Sequence, residues 1–432
     1  MKKELSEPNE KGFSHIKKVI ISCVAGSALE WYDFAVYAYF AAIIGKLFFP
    51  SGDTFQQIIA SFGAFASGLI ARPVGAVVFG YIGDKFGRKK ALVYSIRLMV
   101  FSTALMGLLP TYVSAGVWAG ALLTLIRITQ GLALGGGFTG TIVFLYEHSP
   151  EEKRSTYSSW APFSLVSGFI LGALMAGLMD ALFDQQQIEA FGWRIPFLIS
   201  FIGKFIADYV KNKLSDPEEF AKQQDAEKGK KPSESFFSNL CRNHWKGLLL
   251  VTMTDALTAA GYFLIAVFFT TYFETILGMH RHDVLLIQSF NMVFLALLIL
   301  LGGRMADRIG KRKQMLVSSL ALAVLAYPLF LLMEERTFAG AFLGELGVIF
   351  LFAMYYGPIP AAICSMFPTK VRLAGVSIAH NLAMAAFGAY APSWATSLVK
   401  HCGSVTVPAW LFVGFSLATA LALFVWREGK EY

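Results

Sequence analysis

Charge is what this chain has least of. Only 15% of its 432 residues are Asp, Glu, Lys or Arg, against about 25% in soluble domains, and its 29 carboxylates are outnumbered by 39 phenylalanines. A fold surrounded by water needs more charge than this. Cysteine is also scarce. Cys23, Cys241, Cys364 and Cys402 stand far apart without metal or redox spacing and read as free thiols that pack like small apolar residues. No nucleophile–base pair, metal cluster or phosphate loop occurs at usable spacing, so neither an enzyme nor a resident cofactor or metal is expected. Met1 to Lys18 is polar and has no cleavage-site pattern, and reads as a cytoplasmic tail, not a removed signal.

What remains is apolar. Hydrophobic residues make up 56% of the chain and the mean hydropathy is +0.56. Stretches of about 20 apolar residues, the length that crosses a bilayer as a helix, recur along its whole length and exclude the short alternating strands of a membrane barrel. They predict an all-α integral membrane protein with twelve spans: about Val19–Ile44, Ile58–Ile82, Ala91–Leu109, Gly116–Tyr146, Ser158–Met179 and Trp193–Val210, then 245–273, 284–306, 314–333, 338–365, 371–399 and 406–426. With both termini inside, most of the 37 Lys and Arg fall in alternate loops and tails. That asymmetry is the positive-inside rule. The formal charge of +8 therefore reports topology and not a nucleic-acid footprint.

The chain is internally duplicated. Gly80-Tyr81-Ile82-Gly83-Asp84-Lys85-Phe86-Gly87-Arg88-Lys89-Lys90 returns as Gly303-Arg304-Met305-Ala306-Asp307-Arg308-Ile309-Gly310-Lys311-Arg312-Lys313, each copy between a second and a third span of its half. Pro150 and Arg154 before the fifth span match Pro368 and Arg372 before the eleventh. The organisation is a cytoplasmic tail at 1–18, a six-helix bundle at 19–210, a polar linker at 211–243, a second bundle at 244–426 and a short tail at 427–432. Two parallel repeats around a midplane site describe one large class of secondary transporters.

Ionisable groups within spans are costly and are functional candidates. Glu30 and Asp33 lie three residues apart, near one helical face, beside Trp31, Tyr32 and Tyr37. Such a pair carries a proton, holds a cation or bonds a neighbouring arginine. Arg127, a dozen residues into the fourth span, needs an anionic or carbonyl partner, with Glu30 and Asp33 the candidates. Arg97 lies close enough to Lys90 to snorkel to the surface, and Lys204 and Asp208 are spaced to neutralise each other. In the second half the buried polar candidates are Asp255, Glu345, His380 and Asn381. Gly131, Gly135, Gly136, Gly137, Gly140, Gly168, Gly172 and Gly177 predict close helix approaches. Tyr355-Tyr356-Gly357-Pro358, Pro162 and Pro392 predict breaks in the tenth, fifth and eleventh spans.

These residues resemble the major facilitator superfamily. Gly80-xxx-Asp84-Lys85-x-Gly87-Arg88-Lys89 matches its loop motif and Arg127-xx-Gln130-Gly131 its fourth-helix motif. More narrowly, Glu30-Trp31-Tyr32-Asp33-Phe34, Arg72-Pro73-x-Gly75, Gly192-Trp193-Arg194-Ile195-Pro196-Phe197 and Phe367-Pro368-Thr369-x-x-Arg372 are similar to the bacterial metabolite:proton symporters. The Thr139–Arg154 joint with Ser159-Trp160 is closest to their proline/glycine-betaine branch. The resemblance implies the two-bundle fold and a monomeric importer in the bacterial inner membrane, driven by the proton gradient through alternating access. It implies proton coupling by Glu30, Asp33 and Arg127, and a cytoplasmic latch of Asp84, Arg88 and Arg154 echoed by Asp307, Arg308 and Arg372. Where these symporters usually follow the glycine pair with Glu, this chain has Gly137. Arg97 is also outside the family pattern, and the osmotic gating linked to that branch's coiled-coil tail is not expected.

Two solute classes compete. A zwitterion with an ammonium group would use Trp31, Tyr32, Tyr37 and Trp160 as cation–π faces, with Asp255, Tyr355, His380 and Asn381 as further contacts. An organic acid would lean on Arg127 and Arg97. The motifs favour the zwitterion, while the missing glutamate at Gly137 and the extra Arg97 favour the acid. A ligand receptor that does not transport is a third reading, though it would be expected to carry a cytosolic output domain.

Overall fold

The computed structural model describes residues 7–51, 54–213, 216, 240 and 242–432. The start of the N-terminal tail, Cys241 and most of the 211–243 linker fall outside the described residues. Among the described residues the chain is helical with no strand, as the composition predicts. Ten helices are long and apolar enough to cross a membrane: Ile16–Tyr39, Gly63–Phe86, Arg88–Leu108, Val117–His148, Glu151–Leu182, Trp245–Ile276, Arg281–Ile309, Lys311–Glu334, Phe338–Ser365 and Arg372–Cys402. The sixth span is the bent pair Gln185–Gly192 and Arg194–Val210, which meet at 42°. Ala409–Val425, an apolar helix of 17 residues, stands in the twelfth position. Ile70, Val113, Leu174 and Leu421 are each more than 60% exposed. Apolar surface of this extent is at home only against lipid.

The chain forms two compact units. One comprises Met1–His148 with Ser164–Lys228, the other Ser149–Phe163 with Gly229–Tyr432. The Ser149–Phe163 stretch belongs to the second unit because Asp307 caps its Arg154–Ser158 helix. The two carboxylate oxygens accept the Ser155 and Thr156 amides at 2.9 and 2.8 Å, where a helix start presents unpaired donors and positive dipole. Gly303 permits this contact, since a Cβ there would lie 2.5 Å from Ser159 Oγ.

Within the first unit the second and fourth spans pack backbone to backbone. A Cβ on Gly131 would overlap the Gly68 carbonyl, one on Gly75 the Leu132 carbonyl, and one on Gly135 the Arg72 carbonyl. Gly168 and Gly172 do the same for the fifth span against Ala28 and Ala35 of the first. The second unit repeats the device, Gly302 meeting Ala353 and Gly357 meeting Ile299 and Gly303. Two glycines depart from expectation: nothing lies within 4 Å of a Cβ on Gly177, and Gly140 meets only Leu92, at 4.0 Å. Neither serves a close approach.

The turn glycine of each loop motif has a backbone that side chains rarely adopt, with φ of 116° at Gly87 and 98° at Gly310. The second-span helix runs unbroken through Pro73. The tenth stops at Tyr356 and resumes at Ile359, the fifth resumes at Trp160 just before Pro162, and the eleventh resumes at Ala391 beside Pro392. The seventh breaks at Asp255, between Trp245–Thr254 and Ala256–Phe263, with no proline or glycine to announce it.

Candidate functional site

Arg127 is 1% exposed and finds its counter-charge on the first span. Its Nη1 donates to Asp33 Oδ2 at 2.9 Å, and its Cζ lies 3.7 Å from the centre of the Tyr37 ring. Phe34 and Phe65 are each 5.7 Å away, so the cation is held by a carboxylate and three aromatic faces. Nη2 reaches Met106 Sδ at 3.7 Å. Gln130, one turn further on, donates to Asp33 Oδ1 at 3.1 Å and to Thr103 Oγ1 at 2.9 Å. Both oxygens of Asp33 are thus engaged, one by a charge and one by an amide.

Glu30 does not share this arginine. It is 2% exposed, its carboxylate lies where a Cβ on Gly137 would be, and Oε2 finds no hydrogen-bond partner among the described residues. It lines a crevice of about 10 Å³ with Thr103 and Ser200, about the room one water needs. Arg72 is near enough to act on its charge, with its Cζ 5.7 Å from the Trp31 ring centre. Thr103 faces both carboxylates, joining the Asp33 network and lining the Glu30 crevice. The space left by the absent family glutamate at 137 is therefore occupied by Glu30.

The aromatic residues of the first span each have partners within the first unit. Trp31 contacts Phe34, Phe138 and Phe169, Tyr32 donates to the Pro196 carbonyl at 3.0 Å, and Tyr37 donates to the Ser61 carbonyl at 2.8 Å.

In the second unit, Asp255 Oδ2 is hydrogen-bonded to His380 Nδ1, and Oδ1 has no partner among the described residues. The Tyr355 hydroxyl donates to the Thr254 carbonyl at the same helix break. Asn381 turns to the Ser377 carbonyl at 2.8 Å. Trp160 is half-buried, edge-on to Phe163 at 5.0 Å. Asp255, Tyr355 and His380 thus converge, while Asn381 bonds its own helix.

The loop motif of the first unit is a buried triad. Arg88 pairs with Asp84, with Glu147 at 3.1 Å, and donates to the Gly83 carbonyl at 2.9 Å. Asp216 accepts the Lys89 amide at 2.8 Å. In the second unit the position matching Arg88 is Lys311, paired with Glu428 at 3.5 Å, while Asp307 is turned to backbone amides and Arg308 is exposed. Arg372 is buried and donates to the Cys364 and Phe367 carbonyls at 3.2 Å. Arg154 is half-buried beside the capped amides.

Arg97 neither snorkels alone nor leaves Asp208 to Lys204. It bonds Asp208 at 2.6 Å across to the sixth span. Both partners are about two-fifths exposed, and such pairs contribute about 0–1 kcal/mol. Arg97→Gln is therefore expected to leave the melting temperature in detergent unchanged within error.

Glu147, Thr103 and Asp216 escaped the sequence reading. Glu147 sits at a span end among other polar residues, Thr103 is neutral, and Asp216 lies in a polar stretch, so none stands out by residue type.

The fold and the buried pair on the first and fourth helices define a class. The model of the Major Facilitator Superfamily matches residues 23–380, and the chain belongs to that family of multi-pass membrane transport proteins. It is 32% identical over 419 residues to the glycine betaine/proline/ectoine/pipecolic acid transporter OusA of Dickeya dadantii, covering 96% of this chain and 83% of the relative. It is 32% identical to the proline/betaine transporter of Salmonella typhimurium, with 91% and 80% covered, and 31% identical to a putative proline/betaine transporter of Staphylococcus aureus, with 94% and 87% covered. Among solved structures the proton:xylose symporter XylE aligns with a TM-score of 0.80 at 18% identity, over 97% of each chain. That likeness concerns the fold.

Proposed function

We propose that this protein is a proton-coupled symporter that imports proline, betaine or a similar zwitterion by alternating access. The observation that carries the reading is the Asp33–Arg127–Gln130 network with Glu30 beside it, on the fold of a transporter family whose similar members bear proline/betaine names. A proton arriving on Asp33 removes the charge that holds Arg127. The freed guanidinium then offers charge-assisted bonds to a solute carboxylate. Cytoplasmic gating falls to Asp84 and Arg88 in the first unit and to Arg154, Asp307, Arg308 and Arg372 in the second.

In this reading the protein works as a monomer in the bacterial inner membrane, both termini cytoplasmic, with the proton gradient as its energy source and no cofactor or chemical turnover. The organic-acid alternative loses its support from Arg97, which is engaged by Asp208.

The test is uptake of labelled proline and glycine betaine into proteoliposomes under an inward proton gradient. Accumulation that a protonophore abolishes is the expected result. Binding without gradient-dependent uptake would instead identify a receptor, and uptake confined to carboxylic acids would replace the zwitterion.

A further inference from the structure

Glu345 is a further buried carboxylate, one that the reading above does not use. It is 0% exposed in the tenth span. Its Oε1 accepts from Gln288 Nε2 at 3.0 Å and its Oε2 from Asn291 Nδ2 at 2.8 Å, both on the eighth span. The internal duplication shows what is unusual here. The offset that carries Pro150 onto Pro368 carries Arg127 onto Glu345, and the offset that carries Gly80 onto Gly303 carries Phe65 and Gly68 onto Gln288 and Asn291. In the first unit Phe65 and Gly68 face Arg127; in the second, Gln288 and Asn291 face Glu345. The same contact between equivalent helices is built around a cation in one unit and a carboxyl group in the other.

The cation has its counter-charge in Asp33, but among the described residues of the second unit no basic side chain is bonded to Glu345. The eighth, ninth and seventh spans pack on its helix. The sequence has no Lys, Arg or His between His282 and Arg304, between Lys313 and Arg336, between Lys246 and His280, or between Arg336 and Lys370. His380 of the eleventh span is bonded to Asp255, and Asp255 adds negative charge to this unit, not positive. On the ninth-span side, Gly344 and Gly347 meet Met333 and Leu329. An ionised carboxylate enclosed this way has two neutral amide donors against a large desolvation cost. A carboxylic acid has the same bonds available, because amide oxygen and nitrogen are interchangeable in shape. A half-turn of Asn291 presents Oδ1, which has no partner among the described residues as it stands, to accept the acid O–H in place of the bond that Nδ2 now donates.

We propose that Glu345, Gln288 and Asn291 form a proton-binding site of the second unit, in which Glu345 takes a proton from water and holds it as an uncharged acid joining the eighth and tenth spans. The site is separate from the Asp33–Arg127 pair and requires no assumption about the solute.

Infrared spectroscopy of the full-length protein in liposomes at neutral pH tests it. The wild type should show a protonated-carboxyl C=O band that Glu345→Gln removes and that Asn291→Leu and Gln288→Leu shift. Glu345→Gln, a neutral isostere, should keep the wild-type melting temperature, while Glu345→Ala lowers it. A spectrum unaltered by all three band-testing variants, or a Glu345→Gln protein as unstable as Glu345→Ala, would overturn the site. Should Glu345→Gln fail to fold, the two amide variants still decide through the band shift.

Discussion

Asp33→Asn should abolish proton-driven accumulation of proline or betaine, leaving uptake at the level of empty liposomes. The substitution keeps the shape of the side chain but removes the one carboxylate bonded to Arg127 among the described residues. One of the two donors now aimed at Asp33, Arg127 Nη1 or Gln130 Nε2, would face an amide NH₂ instead of an oxygen. Losing one partner of a buried pair costs about 3–5 kcal/mol, because the remaining charge is uncompensated. An equilibrium shifted by that amount moves about 100- to 1,000-fold or more. The melting temperature should fall as well, so uptake must be normalised to folded protein. Full concentrative uptake by this variant would remove Asp33 from the coupling step and leave Glu30, which lines the adjacent crevice, to carry it.

The second large effect is expected at Gly137. An alanine Cβ there would overlap the Glu30 carboxylate, so the carboxylate must swing out of its present place before the methyl group fits. Gly137→Ala should lower the melting temperature and uptake together. Glu30→Ala in the same chain vacates the disputed space, so the double variant should be more stable than the sum of the single changes predicts, with a coupling of about 0.5–3 kcal/mol. Strict additivity would mean that Glu30 does not rest against position 137. Restoring stability without uptake in the double variant would separate the packing role of Gly137 from the proton role of Glu30.

Much of this protein was legible before any coordinates. The membrane fold follows from span length and scarce charge, because a bilayer accepts few polar groups and each must be accounted for. The same economy made Glu30, Asp33, Arg127, Asp255 and His380 visible as exceptions. Gly131 and Gly135 were readable as close approaches, since glycine inside a helix otherwise costs stability. Gly177, with identical local signals, meets nothing within 4 Å, because a helix does not announce which of its faces has a neighbour. The seventh-span break at Asp255 had no proline or glycine to mark it.

Residue order alone marks the chain as a duplicated helical membrane protein and singles out the charges that need partners. Only the tertiary structure decided the partners: Asp33 and not Glu30 takes Arg127, Arg97 and not Lys204 takes Asp208, and Glu345 faces two amides. The reason is physical. Composition and period respond to the solvent around a helix, which is uniform along each span. A pairing depends on the rotation and height of two helices that are distant in the chain, and small residues such as Gly68, Gly131 and Gly135 set those through contacts between backbones.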